Sequence, residues 1–275
     1  MENPKVTIVM PTYNRVALLQ RALKSIFEQS FADWELIIID DMSTDGTGEV
    51  LREAESRDSR IRVIRNMKST YAVSGIVGPL NQGLALARGV YIARLDDDDR
   101  WIDREKLAKQ VDFLDHHSEY VVVGGGVIVV DMEGREYYRY LKRETDEEIR
   151  KTALMANPFS HTTVMFRADI ARACGGYRAR YAEDWDLWLS MGARGKLYNF
   201  QEYFMAYTMS GKNVSFVHQR AMSRTILGFI TRHRKLYPNF LKAYALNLVQ
   251  YGYSFLPIFV RRFFHNKLSA MKRSL

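Results

Sequence analysis

Four consecutive aspartates, Asp96 to Asp99, are the residues of this chain whose type and spacing point most directly to chemistry. They follow Tyr91-Ile92-Ala93-Arg94, which reads as a buried strand, and precede Trp101 and a charged helix starting near Asp103. They therefore stand at the C-terminal end of a strand, the edge at which open α/β sheets bind ligands. Carboxylates crowded together repel one another and raise each other's pKa. A hard cation such as Mg²⁺ or Mn²⁺ relieves that repulsion, and it is bound by one or two carboxylates together with substrate phosphates. A solvated acidic turn is the competing reading of the same stretch.

Two more polar stretches end predicted strands. Pro11-Thr12-Tyr13-Asn14-Arg15 closes the apolar run Val6–Met10, and Asp40-Asp41 closes Trp34–Ile39. Together the three ends offer a carboxylate to accept from a base, an aromatic ring to stack and a metal-binding cluster, which suits a nucleotide. No G-x-G-x-x-G follows the first strand, which argues against NAD or FAD. No Walker loop is present either.

The elements that must position these groups alternate regularly. Helical spacing of Leu18, Leu19, Ala22, Leu23, Ile26 and Phe27 predicts a helix over 15–30. A turn and helix follow from Ser43 to about Ser56, a strand over 61–65, a helix over 79–88 and a strand over 91–95. Four strand–helix alternations in the first hundred residues imply βαβ units and a parallel sheet. The second half is less regular. It reads as a helix over 103–116, a Gly-containing buried strand over 120–131 and a capping box at Thr145–Glu148 opening a helix to about 156. The glycines of that strand suggest a bulge or a close backbone approach. A strand over 162–166, a helix from Ala182, and two strands over 197–200 and 204–209 complete it.

Composition sets outer bounds. With 275 residues, 47% hydrophobic, the chain has enough material for one large or two small domains. Its single cysteine, Cys174, excludes an internal disulfide or a Cys-based zinc site. The N-terminus lacks a charged-then-apolar leader and no run of about 18 apolar residues exists, so a cytoplasmic location is expected. The net charge of +8 is uneven: the last acidic residue is Glu202, and twelve Lys and Arg follow it. Such asymmetry points to an anionic partner.

In order along the chain, these motifs resemble those of family 2 glycosyltransferases with the GT-A fold, over roughly Lys5 to Ser215. Val9–Arg15 is similar to that family's opening strand, and Ile39–Thr47 to its second-strand signature. Asn81-Gln82-Gly83 and Ala87–Ala93 lead into a D-x-D motif at Asp96–Asp98. Asn157–Arg167, with His161, and Ala182-Glu183-Asp184 resemble the segment before the acceptor loop and the catalytic acidic motif. The resemblance implies a Rossmann-like, mostly parallel sheet flanked by helices. It implies a catalytic domain over 1–210, with a nucleotide-binding half to about 100 and an acceptor half beyond, followed by a basic helical extension over 211–275.

The resemblance also implies roles: transfer of a hexosyl or N-acetylhexosaminyl group from a nucleoside diphosphate donor, usually UDP, to an acceptor hydroxyl with inversion. Pro11, Tyr13 and Asp41 are then expected to hold the base, with Thr12 also binding the donor. Arg15 is expected near the base or phosphates, Asp96 and Asp97 near the ribose and the metal, and His161 at a phosphate. Asp98 and Asp96 are expected at an Mn²⁺ or Mg²⁺ ion, Asp184 as general base and Glu183 beside it. The four-aspartate run lets the D-x-D frame start at 96 or 97, so Asp99 competes with Asp98 as metal ligand. Asp41 also reads as a helix cap, Asp184 as a residue favoured at a helix N-terminus, and His161 as a core histidine. Donor sugar and acceptor are not encoded in these motifs. The general chemistry agrees with the roles: a departing diphosphate needs a cation, and the acceptor hydroxyl needs a carboxylate within hydrogen-bond reach.

The basic tail reads as three helices, over 218–237, 240–251 and 257–272. Large aromatics interleaved with arginine resemble an interfacial membrane helix, which would place the enzyme peripherally on the cytoplasmic face of the membrane beside a polyprenyl-diphosphate-linked or other glycan acceptor. A helical cap on the catalytic domain is the alternative, and nucleic acid is not expected. Two other function classes remain open: a non-catalytic sugar-nucleotide or membrane-binding relative, and a sugar-phosphate nucleotidyltransferase. The latter wants a glycine-rich loop after the first strand, which Pro11–Arg15 lacks.

Overall fold

The structure is a computed structural model, and it describes residues 3–209 and 218–256. Its first half is a parallel sheet built by crossover helices. Strand β1 (Val6–Thr12) lies between β2 (Trp34–Asp40) and β4 (Tyr91–Arg94), and β3 (Ile61–Arg65) lies beyond β2. Every residue of β1 and β2 is buried, as expected for parallel strands covered on both faces. Their side chains alternate between layers: Val6, Ile8 and Met10 join one hydrophobic cluster and Val9 the other. The sheet thus runs between two packed layers of helices.

The connections are α1 (Val16–Phe27), α2 (Thr47–Arg57), a single turn α3 (Tyr71–Ser74) and α4 (Val77–Leu86). Helix α1 buries Leu18, Leu19, Ala22, Leu23 and Ile26, the stripe read from its sequence. Strand β1 continues through Pro11 and Thr12, two residues further than the expected Val6–Met10. The reason is local. Strand β4 pairs with β1 only from Val6 to Val9, whereas β2 pairs with it to Thr12. At Pro11 the sheet therefore has one neighbour, and a proline without an N–H fits such a locally open edge.

The second half is mixed. Strand β8 (Met165–Arg167) runs antiparallel to both β4 and β6 (Tyr120–Val130). Strand β9 (Lys196–Thr208) lies parallel to β6, and the short β5 (Arg100–Trp101) and β7 (Glu136–Tyr140) pair antiparallel to β9 and β6. The order is β3-β2-β1-β4-β8-β6-β9-β5, with β7 beside β6. Strand β9 is continuous where two strands were expected over 197–200 and 204–209. Its polar middle, Gln201-Glu202, sits at a register shift opposite Gly124–Gly126. A Cβ on Gly125 would lie 2.3 Å from the Phe204 ring, so the expected bulge and the expected close approach both occur there.

Helices α5 (Lys106–His116), α6 (Asp146–Thr152), α7 (Ala168–Ala173) and α8 (Glu183–Gly192) cover this half. Thr145 and Glu148 form the expected capping box on α6. Beyond β9, helices α9 (Gln219–Arg232) and α10 (Phe240–Tyr253) form a hairpin. Ile226, Phe229, Ile230, Tyr237 and Ala243 from this region share one buried cluster with Trp185, Leu187, Trp188 and Leu189 of α8. Within 218–256 the extension is packed as a cap on the catalytic domain. The expected third helix, over 257–272, lies outside the described residues. No helix among the described residues is long and apolar enough to cross a membrane.

Candidate active site

The C-terminal ends of β1, β2 and β4 are adjacent because those strands are neighbours, so the three polar stretches share one edge of the sheet. Ligands of open α/β sheets bind at such an edge. Pro11 and Thr12 are buried in β1, Tyr13 is 55% exposed beyond it, and the Asn14 side chain accepts from the amide of Thr44 at 2.8 Å. That bond ties the end of β1 to the loop after β2. Asn14 (φ 52°) and Met42 (φ 72°) both sit in the left-handed region, as does Ala182 (φ 53°) directly before Glu183. Residues with a Cβ rarely take that conformation. Here it recurs beside Tyr13, Asp41 and Glu183, all expected site residues.

Asp41 is saturated. Its carboxylate accepts from Asn66 Nδ2 (2.8 Å), Ser69 Oγ (2.6 Å), Thr70 N (2.9 Å), Thr70 Oγ1 (3.0 Å) and Tyr71 N (3.0 Å). Burial alone would raise its pKa, but these bonds outweigh burial and hold it at about 2. Asp41 therefore organises the segment 66–71 around itself, and a base edge reaching it must share those donors.

The aspartate run splits into unlike members. Asp99 is buried and turned inward, accepting from Thr162 Oγ1 at 3.1 Å and from the Thr208 amide at 3.2 Å. Asp97 is also buried, and burial together with the charges of Asp98 and Asp96 pushes it up to about 7. Asp96 and Asp98 keep part of their side chains open to solvent, 31% and 26% respectively. Arg15 lies 3.5 Å from Asp98 and 3.8 Å from Asp97. Arg94, fully buried beneath the run, donates to the carbonyls of Val9 and Leu95 and pairs with Asp96.

Glu183 and Asp184 occupy the first turn of α8. Burial pushes the Glu183 carboxyl up to about 8, reinforced by the charges of Asp184 and Asp96. Burial also raises Asp184, but Asn157 Nδ2 donates to it at 2.6 Å and opposes the rise. The two carboxyls thus differ: Glu183 is held toward its protonated form, while the Asn157 amide favours the charged form of Asp184. The field of Asp96 reaches both carboxyls, which ties the acidic motif of α8 electrostatically to the end of β4.

His161 opens a short 3₁₀ turn (His161–Thr163) and packs its ring against Tyr177 and Trp188, with Nε2 3.1 Å from the Tyr177 hydroxyl. Burial and the charge of Arg94 push its pKa well below the usual histidine value, so the ring is neutral. Trp185 and Trp188 are both core residues: Trp185 stacks edge-on against Phe229, and Trp188 against Phe159 and Phe166. Arg94 and Asn157 had no role assigned from sequence. An arginine inside an apolar strand, one residue before an acidic run, is the signal that marks Arg94. Asn157 carried no comparable signal, because its partner is 27 residues away.

The sheet, with its acidic run at the end of β4, has the GT-A architecture. The chain belongs to glycosyl transferase family 2, whose model matches residues 7–180. It is 40% identical over 209 residues to the putative glycosyltransferase EpsE of Bacillus subtilis, covering 72% of this chain and 71% of that one. It is 28% identical over 232 residues to the GalNAc(5)-diNAcBac-PP-undecaprenol beta-1,3-glucosyltransferase of Campylobacter jejuni, covering 82% of this chain and 72% of that one. Among solved structures, S. aureus TarS 1–349 in complex with UDP-GlcNAc superposes with a TM-score of 0.67 at 20% identity, covering 87% of this chain and 72% of that one. The mannosyltransferase PcManGT from Pyrobaculum calidifontis, in complex with GDP-Man and Mn²⁺, superposes with a TM-score of 0.64 at 16% identity, covering 98% and 81%. The chain is a glycosyltransferase.

Proposed function

We propose that this glycosyltransferase is metal-dependent and inverting. It moves a sugar from a nucleoside diphosphate donor, UDP-linked in the first instance, to an acceptor hydroxyl during surface polysaccharide, lipopolysaccharide or other glycan assembly. The observation that carries this reading is the pairing of two carboxylate sites across one edge: Asp96 and Asp98 with Arg15 on one side, Glu183 and Asp184 on the other. Solved neighbours hold UDP-GlcNAc in one case and GDP-Man with Mn²⁺ in another. Both are nucleoside diphosphate sugars, and UDP is the donor nucleotide to test first.

The residues present fit a hard divalent cation. Asp96 and Asp98 supply carboxylate oxygens, and burial with the charge of Asp96 raises the Asp98 carboxyl, a repulsion that a cation would relieve. Among the described residues no group of three His, Cys, Asp or Glu side chains forms a protein-only cage. The donor phosphates are then the natural remaining ligands. Asp98 and Asp96 would hold the ion, and when bound it neutralises charge developing on the departing diphosphate. Arg15, beside Asp97 and Asp98, is placed to contact the same phosphates. Tyr13 stacks on the base. Asp184 takes the proton of the attacking hydroxyl, and Asn157 fixes the carboxylate's orientation. Inversion requires attack opposite the leaving group, and base and metal ligands accordingly come from different elements, α8 and the end of β4.

The relative from C. jejuni is named for an acceptor carried on undecaprenol diphosphate, and an acceptor of that kind is proposed here. A membrane contact through the C-terminal helices goes with it: Leu241, Leu248, Val249 and Phe255 are exposed apolar residues on or just after α10. Calorimetric titration of UDP, GDP, CDP and dTDP, with and without Mn²⁺, tests the donor side. UDP is expected to bind only with Mn²⁺, and Asp98→Ala to abolish that binding. No binding of any nucleotide would overturn the reading.

A further inference from the structure

Helix α9 has two unlike sides. Ser223, Ile226, Phe229 and Ile230 are buried against the catalytic domain. On the outer side Arg220 and Arg224 stand one turn apart, with Thr225 beside them. Together with His218 and with Tyr251 of α10 they line an open cleft of about 540 Å³. No carboxylate occupies it. Arg232, on the same helix, is paired with Asp186, whereas Arg220 and Arg224 form no ion pair among the described residues. No acidic residue follows Glu202 in the chain, so neither α9 nor α10 can supply one.

The cleft is positioned as well as charged. The Arg220 guanidinium carbon lies over the Phe255 ring, 3.9 Å from its centroid, and Phe255 in turn packs edge-on against Tyr251. Stacking uses the face of the guanidinium and leaves its N–H edge for an anion, the geometry in which arginine binds phosphate with two parallel hydrogen bonds. His218 stacks on Tyr181, ring centroids 5.4 Å apart. Tyr181 stands three residues before Asp184, and three residues span at most about 11 Å. Through His218 the cleft therefore touches the segment that leads into the expected base.

We propose that this cleft is a phosphate subsite for the acceptor. Arg220 and Arg224 grip a phosphate or diphosphate group while the acceptor's sugar hydroxyl is presented to Asp184. The proposal rests on the transferase reading above and adds the residues that would hold the acceptor's phosphate. Two sources offer the same chemistry: the diphosphate linking a glycan to its lipid carrier, and the headgroup of an anionic phospholipid.

Inorganic pyrophosphate is the probe, titrated calorimetrically without metal into the full chain and into the R220A/R224A and R15A variants. Wild type is expected to bind it, R15A to bind it within about twofold of wild type, and R220A/R224A to bind it at least about tenfold more weakly. A single charge reversal, R224E, is expected to act in the same direction. Equal binding by wild type and R220A/R224A, or loss in R15A alone, would overturn the proposal. UDP–Mn²⁺ binding, measured in parallel, is expected to be unchanged in R220A/R224A. Its absence in wild type would count against the transferase reading, while the pyrophosphate result would still judge the cleft. Phosphatidylcholine vesicles with and without phosphatidylglycerol then separate the sources. If only the phosphatidylglycerol vesicles displace pyrophosphate, the headgroup is the ligand and the acceptor role is overturned. If they leave it bound, the carrier diphosphate is the ligand.

Discussion

Asp184, the proposed base, sits among groups that set its charge. Glu183 beside it is driven up by burial and by like charge, so it keeps a proton at neutral pH, while the Asn157 amide favours the charged form of Asp184. Three variants separate these effects. Asp184→Asn is expected to lower kcat by roughly 10²–10⁴-fold with donor affinity intact, the usual range for loss of a general base. Glu183→Gln keeps the neutral form that Glu183 already has at pH 7 and is expected to cost less. Asn157→Ala removes the bond that lowers the Asp184 pKa, so the acid limb of the kcat/KM profile should move to higher pH. An unmoved limb would exclude Asn157 as a positioning residue. At this scale the sequence named Glu183 and Asp184 because their motif is contiguous. It left the choice between Asp98 and Asp99 open because neighbouring aspartates look alike until the fold turns one of them inward. Thr162 and Thr208 engage Asp99, and they come from segments 63 and 109 residues away.

Asp41 belongs to the scale of elements, because its bonds shape a loop. Residues 66–71 have no apolar stripe to hold them, and α3 is a single turn. Five donors converging on one carboxylate take the place of a core there. The Asp41 pKa is depressed to about 2 in the fold, against about 3.9 in an unfolded chain. A depressed acid contributes stability that is fully present above its unfolded pKa and is lost as pH falls through its folded pKa. The stability difference between wild type and Asp41→Asn, read from urea midpoints, should therefore shrink as pH falls from about 4 to about 2. Hydrogen exchange at the Thr70 and Tyr71 amides should quicken in Asp41→Asn at neutral pH. If those amides stay protected, the carboxylate is not what orders the segment. The regular elements of the first half were legible because β1 and β2 are nearly continuous apolar runs and α1 buries residues at helical spacing. The mixed pairing of the second half was not. Two-residue β5 and half-exposed β7 exist only because β9 and β6 offer them an edge, and nothing in a two-residue or half-polar stretch announces a partner that far along the chain.

For the whole molecule, the question is why a basic tail with no acidic residue should fold onto an acidic catalytic body. Helix α8 supplies the answer from its far side. Asp186 lies two residues beyond Asp184 and is itself buried. It accepts ion pairs from Arg178 (3.2 Å) and from Arg232 and His233 at the end of α9 (3.4 and 3.2 Å). Burial opposes the charged form of Asp186, but His233, Arg178 and Arg232 outweigh it and hold the pKa below the usual range. Around this group Phe229 stacks on Trp185, and the Tyr237 hydroxyl donates to the Leu189 carbonyl at 2.8 Å. One helix thus carries the expected base and the anchor for the cap, so cap and catalytic body should unfold together. Phe229→Ala should cost about 3–5 kcal/mol, as large-to-small changes in a packed core do. Asp186→Asn should also lower stability, because it removes the buried carboxylate that Arg178, Arg232 and His233 share. In both variants denaturant unfolding should remain one transition at a lower midpoint, followed in parallel by tryptophan fluorescence, which reports the catalytic body because all four tryptophans lie there, and by far-UV circular dichroism, which reports all helices. Two separated transitions would show instead that α9 and α10 form an independent unit.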